Sequence, residues 1–495
     1  MKKIFFLVFF IFFIQLLFAQ QVRVDSLCRQ AYGQILSLRF TSARKLLKAE
    51  KQLYPENVYV DYLENYIDFL RVFIGENSVV FQDVNENFGT RYNRVKQLPD
   101  TSRYKKLLLA NMNMQWAFAR LKFGQYFSAA WELNRAYRML TYNVDRFPGF
   151  VPNYIAMGVL HVMIGLVPDK YGWMLKIISM KGGVAQGKAE IYSVLDNTLK
   201  DSANAYLRDE ALFYLGFIEL NLSPDKKAID RLMVYLNQTD KENLLMDFLK
   251  VDIHMRYGQN DAALQQLNNL PQGPDYFPFY YLDYLKGACY LKKLEPDSAT
   301  VYYRYFLKHF KGINYIKDAW RKRAWAALLQ NKPKEYRRLM DSVTVYGVTE
   351  VGADKEALTE AASGIVPNVN LIRARLLFDG GYYARAKTIL DTMNVSRLTK
   401  DEQTERLYRY ARIAHREKKI PLAKSGYRKT IALGRLSPRY FAANAALKLG
   451  EIYESEDSLT LAKFFYEECL NLNFDEYENS IRGKAKEALS RIQEK

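Results

Sequence analysis

One segment of the chain has the residue spacing of a phosphate-binding loop. Gly182, Gly187 and Lys188 match the pattern G-x4-G-K, in which backbone N–H groups and a lysine bind nucleotide phosphates. That site also needs a serine or threonine after the lysine to ligate magnesium, and the residue here is Ala189. It needs a preceding strand as well, whereas the neighbouring segments have helical periodicity. We therefore interpret the motif as a glycine turn between two helices.

Other patterns of catalysis or metal binding are weak. His161, His254, His309 and His415 have no histidine or cysteine partner at helical spacing, so the sequence predicts no metal site. His161 lies in an apolar run and is expected to be a core histidine. The chain has no G-x-S-x-G elbow of a serine hydrolase. We expect no cofactor and no enzymatic activity, and an enzyme would need a site within the irregular segment 148–203.

The elements that would position a site are helices paired through small residues. Eight times, a residue is followed twelve positions later by alanine and four positions after that by a bulky residue, and only Val251 is not small at the first position. The trios are Ala31/Ala43/Leu47, Ala117/Ala129/Leu133, Gly216/Ala228/Leu232, Val251/Ala263/Leu267, Gly287/Ala299/Tyr303, Ala374/Ala386/Leu390, Ala411/Ala423/Tyr427 and Gly450/Ala462/Tyr466. Small residues at this spacing let paired helices pack closely, and repeated pairs stack as a solenoid.

The period and the turns agree with stacked hairpins. The alanines at 228, 263 and 299 are 35 and 36 residues apart, and those at 386, 423 and 462 are 37 and 39 apart. Gly124, Gly258 and Gly381 fall between a predicted first helix and its second. Strand signals are nearly absent. The sequence therefore predicts an all-α protein, an α-solenoid of helix hairpins.

The pattern resembles the tetratricopeptide-repeat superfamily over most of the chain after residue 19. The best single match is Ala446-x2-Leu449-Gly450-x2-Tyr453, then Ala462 and Tyr466. The resemblance implies hairpins stacked in a right-handed superhelix. Segment 166–188 is weakly similar to the tetratricopeptide-repeat domain 39 family, and we carry no function across from it.

The resemblance also implies a binding groove. In such repeats, positions 2, 5, 9 and 12 of the first helix line the concave face. The residues at these positions are Phe213, Phe217, Tyr281, Tyr284, Arg321, Trp325, Arg375, Tyr408, Arg412 and His415. Arginine binds carboxylates through two parallel hydrogen bonds, and aromatic rings supply contact area at low entropic cost. We expect a groove suited to a carboxylate-bearing protein or peptide.

The first nineteen residues have the features of an export signal. Lys2 and Lys3 precede an unbroken apolar run at 4–14, and Ala19 before Gln20 suits signal peptidase. We expect export to the periplasm or the outer-membrane periphery. The three cysteines, at 28, 289 and 469, fall on separate predicted helices and are expected to be unpaired and buried.

The net charge of +18 indicates an acidic counterpart. For an exported chain this means an acidic protein or an anionic membrane surface rather than nucleic acid. The oligomeric state does not follow from the sequence.

We expect six segments along the chain. They are a signal peptide at 1–19, an N-terminal helical region at 20–147, an irregular glycine- and proline-containing segment at 148–203, a central array at 204–345, a hinge with a short helix at 346–366, and a C-terminal array at 367–495. Our functional hypothesis is a non-enzymatic scaffold of the bacterial envelope that binds a protein segment and supports assembly of a complex. The alternative is a carbohydrate- or lipid-binding protein of the outer membrane.

Overall fold

The computed structural model describes residues 21–167, 180–240 and 242–493. Over these residues it contains 24 α-helices and no strand. A single isolated bridge joins Gln21 to Asn57. The predicted signal peptide lies outside the described residues, as do Pro168 and Gly172 of the predicted irregular segment. Within the described ranges, no helix combines the length and apolarity needed to span a bilayer.

The helices divide into those before and after Arg256. The first eleven are α1 Ser26–Leu36, α2 Phe40–Leu53, α3 Tyr59–Gly75, α4 Ser78–Lys96, α5 Arg103–Lys122, α6 Tyr126–Arg146, α7 Asn153–Gly165, α8 Val184–Lys200, α9 Arg208–Phe217, α10 Lys226–Leu236 and α11 Leu244–Arg256. The others are α12 Asn260–Asn268, α13 Tyr281–Lys292, α14 Pro296–His309, α15 Ile316–Leu329, α16 Pro333–Val345, α17 Gly352–Ser363, α18 Val369–Asp379, α19 Tyr383–Asp391, α20 Lys400–Arg416, α21 Ile420–Gly434, α22 Phe441–Ser455, α23 Leu459–Asn471 and α24 Glu478–Gln493. Short 3₁₀ or π segments lie at Ala205–Leu207, Ile218–Leu222 and Val395–Arg397.

The chain forms two compact units. Unit 1 comprises the described residues up to Arg256 together with 265–282 and 309–313, and unit 2 comprises 257–264, 283–308 and the described residues from Asn314 onward. In unit 1, α5 packs on α6 and α7 packs on α8. In unit 2, α15 packs on α16, α20 on α21 and α22 on α23. Packing of helices that are neighbours in sequence is thus confirmed.

Trio residues meet within the pairs α13–α14 and α22–α23, where Gly287 lies against Tyr303 and Gly450 against Tyr466. The eight alanines at the second position of the trios are at most 1% exposed. At Gly450, an added Cβ would lie 2.5 Å from Cδ1 of the Tyr466 ring. Tyr466 is fully buried, and its hydroxyl donates to Glu454 Oε2 at 2.7 Å. Only glycine therefore fits where α22 meets α23.

The G-x4-G-K motif has a structural role that differs in part from the prediction. Gly182 and Gly183 precede α8, but Gly187 lies inside α8 and not in a turn. A Cβ at Gly158 of α7 would lie 2.6 Å from the Gly187 carbonyl oxygen. The spacing that resembles a phosphate loop thus includes a glycine required by a close contact between two helix backbones.

The three cysteines are free and buried, as expected. Burial raises the pKa of the Cys289 thiol to about 11 and that of the Cys469 thiol to about 12. The pKa of the Cys28 thiol is raised by burial as well. All three thiols are therefore protonated in the folded chain at neutral pH.

Candidate functional site

In unit 2, basic and aromatic side chains from successive helix pairs contact one another. We call this set the basic–aromatic cluster. Its members are Arg321, Lys322 and Trp325 of α15, Arg375 and Phe378 of α18, Tyr408, Arg412 and His415 of α20, and Tyr440 and Tyr477.

A capping box positions the α20 residues of the cluster. The Thr399 hydroxyl accepts the backbone N–H of Glu402, and the Glu402 carboxylate accepts the backbone N–H of Thr399. These two bonds satisfy N–H groups that a helix start leaves unpaired. About two and a half turns later, Tyr408 is buried in the core, and Arg412 lies one turn beyond it.

The α15 part of the cluster is a buried ion-pair network. Arg321 is 5% exposed and pairs with Asp318, which also accepts a hydrogen bond from the Tyr284 hydroxyl. Burial raises the pKa of Asp318, but the nearby Lys322 and Arg321 outweigh it and the pKa falls to about 2. Trp325 is 2% exposed and donates its Nε1–H to Glu360 Oε1 at 2.7 Å. Arg321, Trp325 and Tyr284 are therefore core residues of unit 2.

Arg375 links α15 to the later helices. Its guanidinium carbon lies 5.1 Å from the centroid of the Trp325 ring, and its Nη2 donates to the Tyr477 hydroxyl at 3.3 Å. Its only carboxylate contact among the described residues is with Asp379, at 3.9 Å. The side chain is 26% exposed, so Arg375 is partly accessible to solvent.

Arg412 is held by aromatic rings, and no carboxylate lies within ion-pair distance of it among the described residues. Its guanidinium carbon lies 4.2 Å above the ring of Phe378 and 5.8 Å from that of Tyr408. No hydrogen bond or ion pair of this half-buried guanidinium is found within the described parts of the chain. A guanidinium has five N–H donors, and half-buried donors of this kind are normally satisfied. Arg412 is thus pre-positioned by ring stacking while its hydrogen bonds remain available.

The remaining cluster residues from α20 are held within the protein. Tyr408 is fully buried and its hydroxyl accepts from Asn444 Nδ2 at 2.8 Å. His415 Nδ1 lies 3.3 Å from the Tyr427 hydroxyl. Burial lowers the pKa of His415, and the nearby Lys448 lowers it further. His415 is therefore neutral at physiological pH and adds no charge to the cluster.

The three other predicted groove residues belong to unit 1. Phe213 contacts Tyr214 at 6.1 Å between ring centroids, and Tyr281 contacts Phe248 at 6.3 Å. Phe217 is 44% exposed. The sequence mapping omitted Lys322, Phe378, Tyr440 and Tyr477. The sequence could have placed Phe378 in the cluster, because it lies three residues after Arg375 and therefore on the same side of α18.

One group of side chains in the described residues has the composition of a metal site. The ligand atoms of Asp25, Cys28 and Glu50 lie within 4.8 Å of one another. Asp25 caps α1 by accepting the Cys28 N–H at 3.1 Å, and Asn57 donates to Glu50 Oε1 at 2.7 Å. These hydrogen bonds give Asp25 a role in capping α1 and fix one oxygen of Glu50, while Glu50 Oε2 is buried with no hydrogen-bond partner.

His161 is a satisfied core histidine, as expected from the sequence. It is 5% exposed, and its Nδ1 lies 2.7 Å from Glu190 Oε2.

No protein-family model matches the chain, and no curated protein is found to be similar to it. Over its described residues the chain is all-helical, with neighbouring helices packed in pairs.

Proposed function

We propose that this protein is a non-enzymatic scaffold of the bacterial envelope that binds a carboxylate-bearing protein segment at its basic–aromatic cluster. In this proposal, the helix pairs continue as a right-handed solenoid of tetratricopeptide-like hairpins. The order of helix packing in each unit supports the hairpins, and the apolar run at 4–14 supports export.

The observation that carries the proposal is the set of contacts that Arg412 makes. A cation that stacks on Phe378 but forms no ion pair within the described residues can accept a carboxylate without breaking an existing bond. A bidentate arginine–carboxylate pair has charge-assisted hydrogen bonds, each worth about 1.5–3 kcal/mol. Arg375 offers further donors from the preceding helix pair.

The surrounding aromatic residues favour a peptide over a free anion. Tyr440 and Tyr477 contact each other at 4.9 Å between ring centroids, and Tyr477 also accepts a hydrogen bond from Arg375. Tyrosine, tryptophan and arginine are the residue types that contribute most of the binding free energy at protein interfaces. A small anion would not use this aromatic area.

The test is affinity capture from cell envelopes with the tagged full chain. Arg412→Glu reverses the charge at the cluster and should lower recovery of the partner about tenfold or more while leaving the circular dichroism spectrum unchanged. Lys400→Glu is the matched control, because it makes the same charge change at the exposed start of α20, roughly 18 Å along the helix. It should recover the partner normally.

Equal recovery by Arg412→Glu and the wild type would remove Arg412 from the binding surface. Recovery of glycan or lipid in place of any protein would contradict the proposal and favour the carbohydrate- or lipid-binding alternative.

A further inference from the structure

Unit 1 contains a cavity lined by tyrosine rings and aliphatic side chains. Six tyrosines line it, contributed by α1, α3, α5, the 3₁₀ turn at Ala205–Leu207 and α9. They are Tyr32, Tyr59, Tyr62, Tyr104, Tyr206 and Tyr214. Neighbouring rings meet edge to face, as between Tyr32 and Tyr206, whose centroids are 5.4 Å apart with planes at 88°. The cavity lies wholly within unit 1, whereas the basic–aromatic cluster lies wholly within unit 2.

A single carboxylate lies among these rings. Glu210 of α9 lines the cavity and is 8% exposed. Its Oε1 accepts the Tyr66 hydroxyl at 2.8 Å, and its Oε2 accepts the Tyr32 hydroxyl. Burial raises the pKa of Glu210, while the two tyrosine hydrogen bonds lower it in part.

Glu210 has no cationic partner among the described residues. Buried carboxylates are normally paired with a cation, because removing a lone charge from water costs several kcal/mol. Most other buried acids of unit 1 have a cationic partner, as Glu219 has Lys188 at 2.6 Å and Asp68 has Arg91 at 2.7 Å; Glu50, held by Asn57, is the other exception among the described residues. Glu210 departs from this pattern inside a cavity, where a ligand can supply the charge.

A second polar group of the cavity is also incompletely satisfied. Asn111 lines the cavity, and its Nδ2 donates to the Tyr62 hydroxyl at 3.4 Å. Its Oδ1 is buried and has no hydrogen-bond partner. Two acceptors in one aromatic cavity suit a ligand that donates hydrogen bonds, and a positive charge on that ligand would stabilise the ionised form of Glu210.

The volume of the cavity sets an upper limit on the size of the ligand. The space open to the centre of a water-sized sphere is about 30 Å³. A single water needs about 10–15 Å³ on that measure, so the cavity accommodates one compact organic group. Two arginines lie near the lining rings, Arg103 at 5.6 Å from the Tyr104 centroid and Arg29 at 5.7 Å from the Tyr206 centroid, but neither lines the cavity.

We propose that this cavity binds a small protonated amine. The ammonium group donates to Glu210 and Asn111, and the faces of the surrounding tyrosines stabilise its charge by cation–π attraction. The N–H donors distinguish the ligand from a quaternary ammonium, which cannot satisfy Asn111 Oδ1. The ligand would be either a free alkylamine or the ammonium group of a lysine side chain.

The experiment titrates ethylammonium chloride into the full chain and measures affinity by ligand-observed NMR. Mildly alkaline buffer favours the ionised form of Glu210, and ethanol at matched ionic strength is the neutral probe. We expect ethylammonium to bind about tenfold or more tightly than ethanol. Nα-acetyl-lysine amide distinguishes the two sources: tighter binding than ethylammonium assigns a lysine side chain, and weaker binding assigns a free amine.

Variants test the carboxylate and the aromatic rings of the cavity separately. Glu210→Gln keeps the shape, removes the charge and should weaken ethylammonium binding about tenfold or more. Glu86→Gln, the same change at an exposed position of α4, should have no effect. Tyr59→Leu should weaken binding about fivefold, whereas Tyr59→Phe retains the ring and the affinity.

The proposal is overturned if the wild type binds ethylammonium no better than ethanol. It is equally overturned if Glu210→Gln binds ethylammonium as tightly as the wild type does. Because Glu210→Gln removes a buried charge, it should fold, and its melting temperature verifies this independently of binding.

Discussion

Substitution of Gly450 by alanine tests how closely α22 and α23 pack. The added Cβ would lie 2.5 Å from Cδ1 of Tyr466, roughly 1 Å inside the ordinary separation of two carbon atoms. The ring is fully buried, and its hydroxyl is bound to Glu454, which is itself bound by Arg491 at 2.8 Å. The ring therefore cannot move without disturbing a hydrogen-bond network.

Two effects of opposite sign decide the magnitude. Alanine is favoured over glycine inside a helix by about 1 kcal/mol. Overpacking of a buried contact costs about 1–3 kcal/mol, and loss of the Tyr466 hydrogen bond adds about 1 kcal/mol. We expect Gly450→Ala to lower the free energy of unfolding by about 1–3 kcal/mol, and Gly450→Leu to lower it further.

Chemical denaturation followed by circular dichroism measures this change. Gly483→Ala is the matched control, because Gly483 lies in α24 with no heavy atom within 4 Å of its added Cβ. It should raise the free energy of unfolding by up to about 1 kcal/mol. Tyr466→Leu should relieve the cost of Gly450→Ala, since the smaller side chain leaves room for the methyl group.

The reasoning is refuted if Gly450→Ala and Gly483→Ala stabilise the protein equally. It is also refuted if the cost of Gly450→Ala is the same with leucine at position 466, because the collision with the ring would then not be its cause.

Two further predictions concern stability. Gly187→Ala should lower the free energy of unfolding, measured by chemical denaturation, by about 3 kcal/mol. The reason is that its Cβ would lie 2.8 Å from the backbone nitrogen of Val162, which cannot rotate away. An unchanged denaturation midpoint would contradict the contact between α7 and α8. Burial raises the pKa of Asp354 to about 6, above the value of about 3.9 in an unfolded chain, so its stabilising contribution is complete below pH 4 and is lost as the pH rises through 6. The free energy of unfolding of the wild type relative to Asp354→Asn should therefore fall by roughly 2 kcal/mol between pH 4 and pH 7, and a constant difference would exclude the raised pKa.

The helix pairs were predictable because close packing restricts residue type. Where two helices meet, only small side chains fit, so Gly450 and Ala462 mark the contact in the sequence itself. The same restriction explains the error at Gly187, since glycine is required both in a turn and at a helix crossing. Residue type alone does not distinguish the two uses.

The burial of individual groove residues was less predictable. Trp325 and Arg412 both occupy first-helix positions assigned to the groove, yet Trp325 is in the core and Arg412 is half-buried with free donors. Which of them packs inward depends on partners such as Glu360 and Phe378, which lie on other helices. A repeat pattern does not contain that information.

The tyrosine cavity was not predictable from spacing. Its carboxylate, Glu210, meets Tyr32 across 178 positions of the chain and Tyr66 across 144. The local signal was the series Tyr59, Tyr62 and Tyr66, which places three rings on one side of α3. Such a series is equally typical of an ordinary core. The cavity, the unsatisfied Asn111 Oδ1 and the lack of a cation beside Glu210 among the described residues separate the two.

The buried thiols make the chemical integrity of this chain depend on its folding. Attack on an oxidant requires thiolate, and the folded protein keeps Cys28, Cys289 and Cys469 protonated and out of contact with solvent. In an oxidising compartment, sulfenic acid or mixed disulfides at these positions would therefore accumulate only in molecules whose helices have opened. The oxidation state of each cysteine would record how often its own part of the chain unfolds.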